Sequence, residues 1–170
     1  MSRKIWGVIA LLLMGPLQAE EEGRSVALGM PLSGVVAQVL VEEGQQVTVG
    51  TVLLKLDPRR YQYQLQFAEA ALKELQVEQE DLQIELEQQL ELFERMVTTE
   101  SDLKRAKRKA AVIEAKIAQK QALRDIAALD LERTTLKAPL DGIVSRRLAE
   151  PGMVVSQEGE PVTLLILKVK

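Results

Sequence analysis

The sequence predicts an α+β fold in which a β-sandwich, formed from two separate halves of the chain, is interrupted by a long antiparallel α-helical coiled-coil hairpin. Three observations predict this fold. Residues 31–53 and 139–162 share a pattern of glycines and β-branched residues at a nearly constant offset. The segment between them contains no Gly or Pro from Tyr61 to Met96, and its apolar residues recur every three and four positions. The two arms of that segment also carry opposite net charge.

The N-terminal residues 1–19 have the three-part layout of a signal peptide. Arg3 and Lys4 precede an apolar run of 11 residues, and Gly15-Pro16 follows ahead of Ala19. That run is shorter than the roughly 20 residues that a membrane span needs. We expect export to the periplasm with cleavage after Ala19, and an uncleaved anchor is the alternative. Cleavage would change the formal net charge from −3 to −5, because two bases and no acid leave.

The two predicted halves of the sandwich are residues 26–57 and 134–170. At an offset of 108, Pro31 matches Pro139 and Val47 matches Val155, with two glycine pairs in the same register. The four identities favour two related halves over chance similarity, and a pseudo-twofold axis would close them into one sandwich. Glycines at equivalent places predict structural turns, where φ is often positive. They are Gly34, Gly44, Gly50, Gly142, Gly152 and Gly159.

The predicted hairpin covers residues 60–133, with arms 61–97 and 101–133. The three-and-four spacing of a coiled-coil seam continues along both arms. Thirty-six helical residues would extend about 54 Å. The predicted seam of the first arm is Leu65, Ala68, Leu72, Leu75, Gln79, Leu82, Leu86, Gln89, Phe93 and Met96. The predicted seam of the second arm is Leu103, Ala106, Ala110, Ile113, Ile117, Lys120, Arg124, Ala127 and Leu131.

Charge predicts that the two arms pair with each other. Residues 61–96 carry a net charge of −7 and residues 101–133 carry +4. A chain reversal at Thr98-Thr99 would place residue i near residue 198 − i. Ion pairs are then expected between Glu91 and Lys107, Glu78 and Lys120, and Glu74 and Arg124. Such exposed pairs set register more than they add stability.

Composition excludes several function classes. The chain has no His and no Cys, which removes imidazole and thiol catalysis, disulfides, zinc clusters and lipoprotein acylation. We therefore predict that it is not an enzyme and has no catalytic, cofactor-binding or metal-binding residues. The basic run at 104–109 is expected to face the acidic arm, so we predict no nucleic-acid binding for this mildly acidic, exported chain.

Two stretches carry a family resemblance: PLSGVVAQVLVEEGQQVTVGTVLLKLDP (31–58) and LKAPLDGIVSRRLAEPGMVVSQEGEPV (136–162). With the hairpin between them and the signal peptide ahead, the sequence resembles the periplasmic adaptors, the membrane fusion proteins of efflux pumps and type I secretion systems. The resemblance implies a lipoyl/biotinyl-like sandwich. Its pattern is matched at Gly34, Val36, Gly44, Val47, Gly50, Leu56, Asp57 and Pro58, and again at Ala138, Pro139, Gly142 and Val144.

The resemblance implies a role and a set of partners. The chain is expected to link an inner-membrane transporter, of RND or ABC type, to an outer-membrane channel protein, directly or through another adaptor. It is also expected to form a homo-oligomer. The predicted partner-contact residues lie at the hairpin tip and are Arg95, Met96, Val97, Thr98, Thr99, Ser101 and Leu103. A plain polar turn, capped by Thr99 or Ser101, is the alternative for this segment.

Two departures from the family pattern leave alternatives open. Typical members have flanking β-barrel and membrane-proximal domains, and we expect this chain to be a minimal adaptor without them. At the tip, Arg95, Thr99 and Ala106 occupy the spacing where adaptors of well-known channels carry Arg, Leu and Ser. The alternatives are a stand-alone envelope scaffold and a regulatory subunit that competes with a full-length adaptor.

A remote alternative is a biotin or lipoyl carrier, which needs an exposed Lys at a tight hairpin. Lys55 falls instead in a strand-like run. The aromatic residues Tyr61, Tyr63 and Phe67 predict a packed joint between hairpin and sandwich, with a small-molecule pocket as the minor interpretation.

Overall fold

The computed structural model of this chain describes residues 24–157 and 162–169. The predicted signal peptide and Gly159 lie outside the described residues. Eight strands and two long helices follow in this order: β1 (Ser25–Leu28), β2 (Gly34–Val39), β3 (Gln46–Val47), β4 (Val52–Leu56), α1 (Arg59–Glu94), α2 (Glu100–Arg133), β5 (Thr135–Lys137), β6 (Gly142–Arg147), β7 (Val154–Val155) and β8 (Leu165–Val169). The predicted α+β class is confirmed.

The strands form two four-stranded sheets, and each sheet contains strands from both halves of the chain. The orders are β1-β8-β6-β3 and β5-β4-β2-β7, with antiparallel neighbours throughout. Exchanging β1 with β5, β2 with β6, β3 with β7 and β4 with β8 converts one order into the other. The sandwich therefore has the internal pseudo-twofold arrangement that the repeated sequence predicts.

Backbone hydrogen bonds tie the two halves together at equivalent places. The amide of Gly44 donates to the carbonyl of Val144 at 2.8 Å, and the amide of Gly152 donates to that of Val36, also at 2.8 Å. Both glycines lie in turns with positive φ, 82° and 88°, a conformation that L side chains rarely adopt. Gly50 has a similar φ of 85°. The equivalent bonds require both halves at once, so neither half forms this sandwich alone.

Gly34 and Gly142 do not form turns, which corrects the prediction for these two positions. Each begins a strand, β2 or β6, after the bend that its preceding proline introduces. At Gly142 the reason for glycine is space, because an added Cβ would lie 2.5 Å from the carbonyl oxygen of Lys168.

One apolar core fills the space between the sheets. Its most deeply buried side chains show no exposed surface and come from both halves: Leu53, Leu54, Val144, Leu164, Leu165 and Leu167. Along β6 and β8, buried apolar residues alternate with more exposed residues, and the buried ones provide this face. The core gives the helical hairpin a packed base.

The two helices lie against each other along the predicted seam. All nine predicted seam residues of α2 are buried or half-buried, as are the first eight of α1. The predicted register is wrong by about one helical turn. Lys109 pairs with Glu85, its Nζ 2.7 Å from the carboxylate, where residue 198 − i would have placed Gln89. The three ion pairs expected between the arms are not formed, and Glu91 and Arg124 pair with Arg95 and Asp125 of their own helices.

Candidate functional site: the hairpin tip

The end of α1 is closed by a backbone motif that normally uses glycine. The amide of Val97 donates to the carbonyl of Leu92 at 2.9 Å, and that of Met96 donates to Phe93 at 3.0 Å. This pair of bonds defines a Schellman motif, in which the residue after the C-cap is left-handed. Here that residue is Met96, with φ of 59°. A left-handed L-residue is strained by about 1–2 kcal/mol. Methionine at position 96 therefore has a conformational cost.

Apolar side chains are exposed around this turn. Met96 is 94% exposed and Val97 is 69% exposed, and Phe93 and Leu90 contribute partly exposed surface on the last turns of α1. The sequence had placed Phe93 and Met96 in the seam. Leu92 is half-buried instead of Phe93, and Met96 lies beyond Glu94, the last residue of α1.

The start of α2 is capped by a side chain. Thr99 has extended backbone dihedrals, and its Oγ1 accepts from the amide of Asp102 at 3.2 Å. The same hydroxyl donates to Asp102 Oδ2 at 2.6 Å. This bond, followed by the charge of Arg105, holds the pKa of the Asp102 carboxyl below its usual range. Negative charge here also suits the N-terminal end of the helix dipole.

The remaining predicted tip residues divide into surface and interior positions. Arg95 is exposed and pairs with Glu91 at 2.5 Å, and Ser101 is exposed in the first turn of α2. Thr98 is half-buried and donates to Gln89 Oε1 at 3.1 Å. Leu103 is only 6% exposed, so in this structure it packs inside the hairpin and does not offer a contact surface.

The foot of the hairpin is fixed by Tyr61. Its side chain is 6% exposed, and its hydroxyl donates to the carbonyl of Ser33 at 2.7 Å. At the entry to α1, Asp57 accepts from the amide and the guanidinium Nε of Arg59, each at 3.0 Å through Oδ1. The side-chain bond from Arg59 is the main reason that the pKa of Asp57 falls to about 2.

The other two aromatic residues do not join this packed foot, which corrects the prediction of a joint formed by all three. Tyr63 is 67% exposed and Phe67 is 78% exposed. They line an open groove of about 1020 Å³, together with Val35 and Val154 of the sandwich. Of the charged groups at its edge, Asp57 and Arg59 are paired with each other, and the guanidinium of Arg60 lies 6.0 Å from the centre of the Tyr61 ring.

Across residues 24–157 and 162–169, no group of three or more acidic side chains is arranged to hold a metal ion. Lys55 is exposed within β4 and is not at a hairpin turn. Neither α1 nor α2 is apolar enough over a sufficient length to cross a membrane.

Comparison with known proteins identifies the family. Residues 24–167 match the family model described as RND MFP, barrel-sandwich hybrid domain. Among solved structures, MacA from Actinobacillus actinomycetemcomitans is similar with a TM-score of 0.74 and 22% identity, over 86% of this chain and 51% of that chain. A MacA–MexA chimera with the Pseudomonas aeruginosa MexA α-hairpin is similar with a TM-score of 0.66 and 24% identity, over 86% of this chain and 46% of that chain.

The periplasmic adaptor protein EmrA is similar with a TM-score of 0.57 and 18% identity, over 85% of this chain and 72% of that chain. These identities show a shared fold only, and the chain spans about half the length of the two MacA structures. The family model, by contrast, covers most of the chain. The chain therefore belongs to the membrane fusion proteins, a family of non-enzymatic adaptors.

Proposed function

We propose that this chain is a periplasmic adaptor that links an inner-membrane transporter to an outer-membrane channel, in efflux or in type I secretion. The chain is exported by its N-terminal signal, it assembles as a homo-oligomer, and its hairpin tip contacts the channel. The observation that carries the proposal is Met96, a strained and almost fully exposed apolar residue. It lies at the end of a helix of 36 residues, about 54 Å long.

Methionine at position 96 has a conformational cost that glycine would avoid. Glycine at position 96 would keep the Schellman bonds without strain, yet the chain has a large apolar side chain there. Local strain of this kind is concentrated at functional positions. Met96 and Val97 together offer a small apolar surface at the point farthest from the sandwich, and methionine adapts readily to the surface of a partner helix.

Site-directed crosslinking tests the proposal. The chain has no Cys, so Val97→Cys gives a single attachment point for a photocrosslinker without removing the Thr99 cap. Glu42→Cys, exposed in the sandwich, is the matched control. We expect an outer-membrane channel to be captured from position 97 and not from position 42. Capture of a full-length adaptor would favour the regulatory alternative, and no partner under transporting conditions would refute the proposal.

The variant Met96→Gly distinguishes an effect on partner binding from an effect on folding stability. We expect this variant to raise the free energy of unfolding by about 0.5–1 kcal/mol, because the strain is relieved. We also expect it to reduce channel capture from position 97 and to lower transport. Met96→Leu keeps an apolar side chain and should retain capture. If Met96→Gly transports as well as the native chain, Met96 is not part of the contact.

A further inference from the structure

The groove between the foot of the hairpin and the sandwich has an apolar floor and an apolar wall. The floor is a cross-strand pair, Val35 of β2 beside Val154 of β7, and both residues are exposed. The wall is the first part of α1, where Tyr63 and Phe67 are four residues apart and share one side of the helix. Both aromatic residues are mostly exposed. Four large side chains from three elements therefore border one open volume of about 1020 Å³.

The charged residues that line this groove leave one positive charge unpaired. Among the described residues they are Asp57, Arg59 and Arg60, two bases and one acid. Asp57 and Arg59 form an ion pair with each other. Within the described part of the chain Arg60 forms no ion pair, and its guanidinium faces the Tyr61 ring. The lining of the groove is apolar, with a net positive charge that Arg60 supplies.

Helical geometry places this guanidinium in line with the two aromatic residues. Arg60, Tyr63 and Phe67 occupy positions i, i+3 and i+7, which lie on one face of a helix. Seven residues at 1.5 Å rise separate the backbone of Arg60 from that of Phe67 by about 10 Å. This face of α1 therefore begins with a positive charge beside the sandwich and continues with aromatic surface along the hairpin.

We propose that the groove binds an amphipathic anion, a molecule with an apolar chain and one carboxylate or similar anionic group. The anionic group lies against Arg60, and the apolar chain lies between the aromatic wall and the valine floor. Ligand sites commonly combine a mostly apolar lining with a few polar groups that fix the orientation of the ligand. This inference does not rest on the proposed function, because the groove lies at the foot of the hairpin and not at its tip.

Charge complementarity is the argument for an anion as the occupant. A cationic molecule with the same apolar chain would cover the same side chains, but Arg60 would repel its head group. Charge therefore sets the choice of ligand, and burial of apolar surface provides most of the affinity. Exposed charges attract each other only weakly in water, so a small anion without an apolar chain should not bind.

Titration of the full chain with sodium dodecanoate, below its micelle concentration, tests the site. The sequence contains two Tyr and two Phe, so fluorine-labelled tyrosine and phenylalanine give four NMR signals. We expect the signals of Tyr63 and Phe67 to shift along one saturation curve, while that of Phe93, at the other end of α1, stays unchanged. Sodium acetate should shift none of them. Dodecyltrimethylammonium, with the same chain and the opposite charge, should bind about fivefold more weakly or worse.

Substitutions distinguish the apolar contribution from the charged one. Phe67→Ala should raise the dissociation constant for dodecanoate about tenfold, because it removes a large apolar contact. Arg60→Gln should raise it about threefold to fivefold and should abolish the preference for dodecanoate over the cationic amphiphile. Lys73→Gln makes the same charge change on an exposed residue of α1 outside the groove, so it should bind like the native chain. Circular dichroism should show intact helices in every variant.

The proposal is overturned if the two amphiphiles bind the native chain equally well, since that would be adsorption on exposed apolar surface only. It is also overturned if the signals of Tyr63 and Phe67 do not shift. Weaker self-association of Phe67→Ala in sedimentation velocity would then show that a second copy covers the groove, and binding to phosphatidylglycerol vesicles would show that a membrane does. Channel capture from position 97 is a separate measurement, so failure here is distinguishable from failure of the adaptor role.

Discussion

The sandwich and the hairpin bury their apolar residues in different ways. In the sandwich, leucines of β4 and β8 and Val144 of β6 show no exposed surface. In the hairpin, the 36 residues of α1 bury only Tyr61 and Leu72, and the buried residues of α2 all lie between Leu103 and Ile113. Two paired helices share a single seam, whereas two facing sheets enclose a core.

The sandwich therefore provides most of the stability of the chain, whereas the hairpin provides surface that is available to partners. The sandwich has a closed core and equivalent hydrogen bonds between its halves, so its fold is satisfied within one chain. The hairpin leaves exposed apolar side chains on its outer flanks and at its tip, including Val77, Ile84, Met96, Val112 and Ile126. These side chains are accessible to another molecule.

The largest predicted effect on stability is a difference between alanine substitutions of two leucines. Leu54 has no exposed surface in the central strand β4, and Leu82 is half-buried in the seam of α1. Leu54→Ala should lower the free energy of unfolding by about 3 kcal/mol, because it leaves a cavity that the sheets cannot close. Leu82→Ala should cost about 1 kcal/mol, since solvent already reaches the site. Urea denaturation compares the two, and equal losses would contradict the contrast.

The next prediction compares equivalent glycines of the two halves. An added Cβ at Gly142 would meet the backbone oxygen of Lys168 at 2.5 Å, whereas at Gly34 it would meet the Leu56 side chain at 3.3 Å. A backbone oxygen cannot move aside as easily as the methyl group of a leucine side chain can. We expect Gly142→Ala to cost about 2 kcal/mol and Gly34→Ala less than about 1 kcal/mol. If thermal unfolding gave the same Tm for the two variants, this predicted difference would be contradicted.

The fold was predictable because its signals are local and repeated. The offset repeat located both halves of the sandwich, and the three-and-four spacing located the seam through Gln89. Both signals depend on residue type alone, since branched side chains suit strands and periodic apolar residues suit a paired helix. They do not depend on the geometry of any single turn.

The tip register was not predicted, because it depends on turn geometry. The prediction centred the reversal on Thr98-Thr99, whereas the structure ends α1 at Glu94 and begins α2 at Glu100. One sequence signal for this was present: Thr99 followed three residues later by Asp102, the spacing of a helix N-cap with an acidic residue. The left-handed Met96 has no such signal, because glycine is the residue that usually marks this position.

The aromatic foot was also only partly predictable. Tyr61 and Tyr63 are two residues apart, which places them on opposite sides of a helix. Tyr63 and Phe67 are four apart and share the exposed side. Helical geometry therefore separates Tyr61 from the other two, although composition alone had grouped the three.

A smaller effect is predicted at the cap of α2. Thr99→Ala removes the hydroxyl that accepts from the Asp102 amide, and such caps contribute about 1 kcal/mol. Thr99→Ser keeps the hydroxyl and should be close to the native chain in stability. Because the cap lies in the hairpin, the loss should appear first as faster amide hydrogen exchange near the tip. Equal exchange acceleration in β4 would show that the two regions open together.

The smallest predicted effect lies where the two regions join. The pKa of Asp57 is about 2, against an ordinary value of 3.8, mainly because Arg59 donates to its carboxylate. The folded state thus favours the charged form of Asp57. Its contribution to stability is fully present above about pH 4 and is lost as the pH falls from there through about 2. NMR titration of the Asp57 carboxyl carbon measures this pKa.

Arg59→Gln should raise the pKa of Asp57 towards 3.8, while Arg60→Gln, one residue farther along α1, should leave it near 2. Both residues are exposed at the start of α1, so the two substitutions differ chiefly in which of them bonds the carboxylate. Because this ion pair is solvated, its loss should alter the pKa clearly and the overall stability only slightly. A large destabilisation by Arg59→Gln would instead mean that the joint, and not the sandwich core or the hairpin seam, limits the stability of the chain.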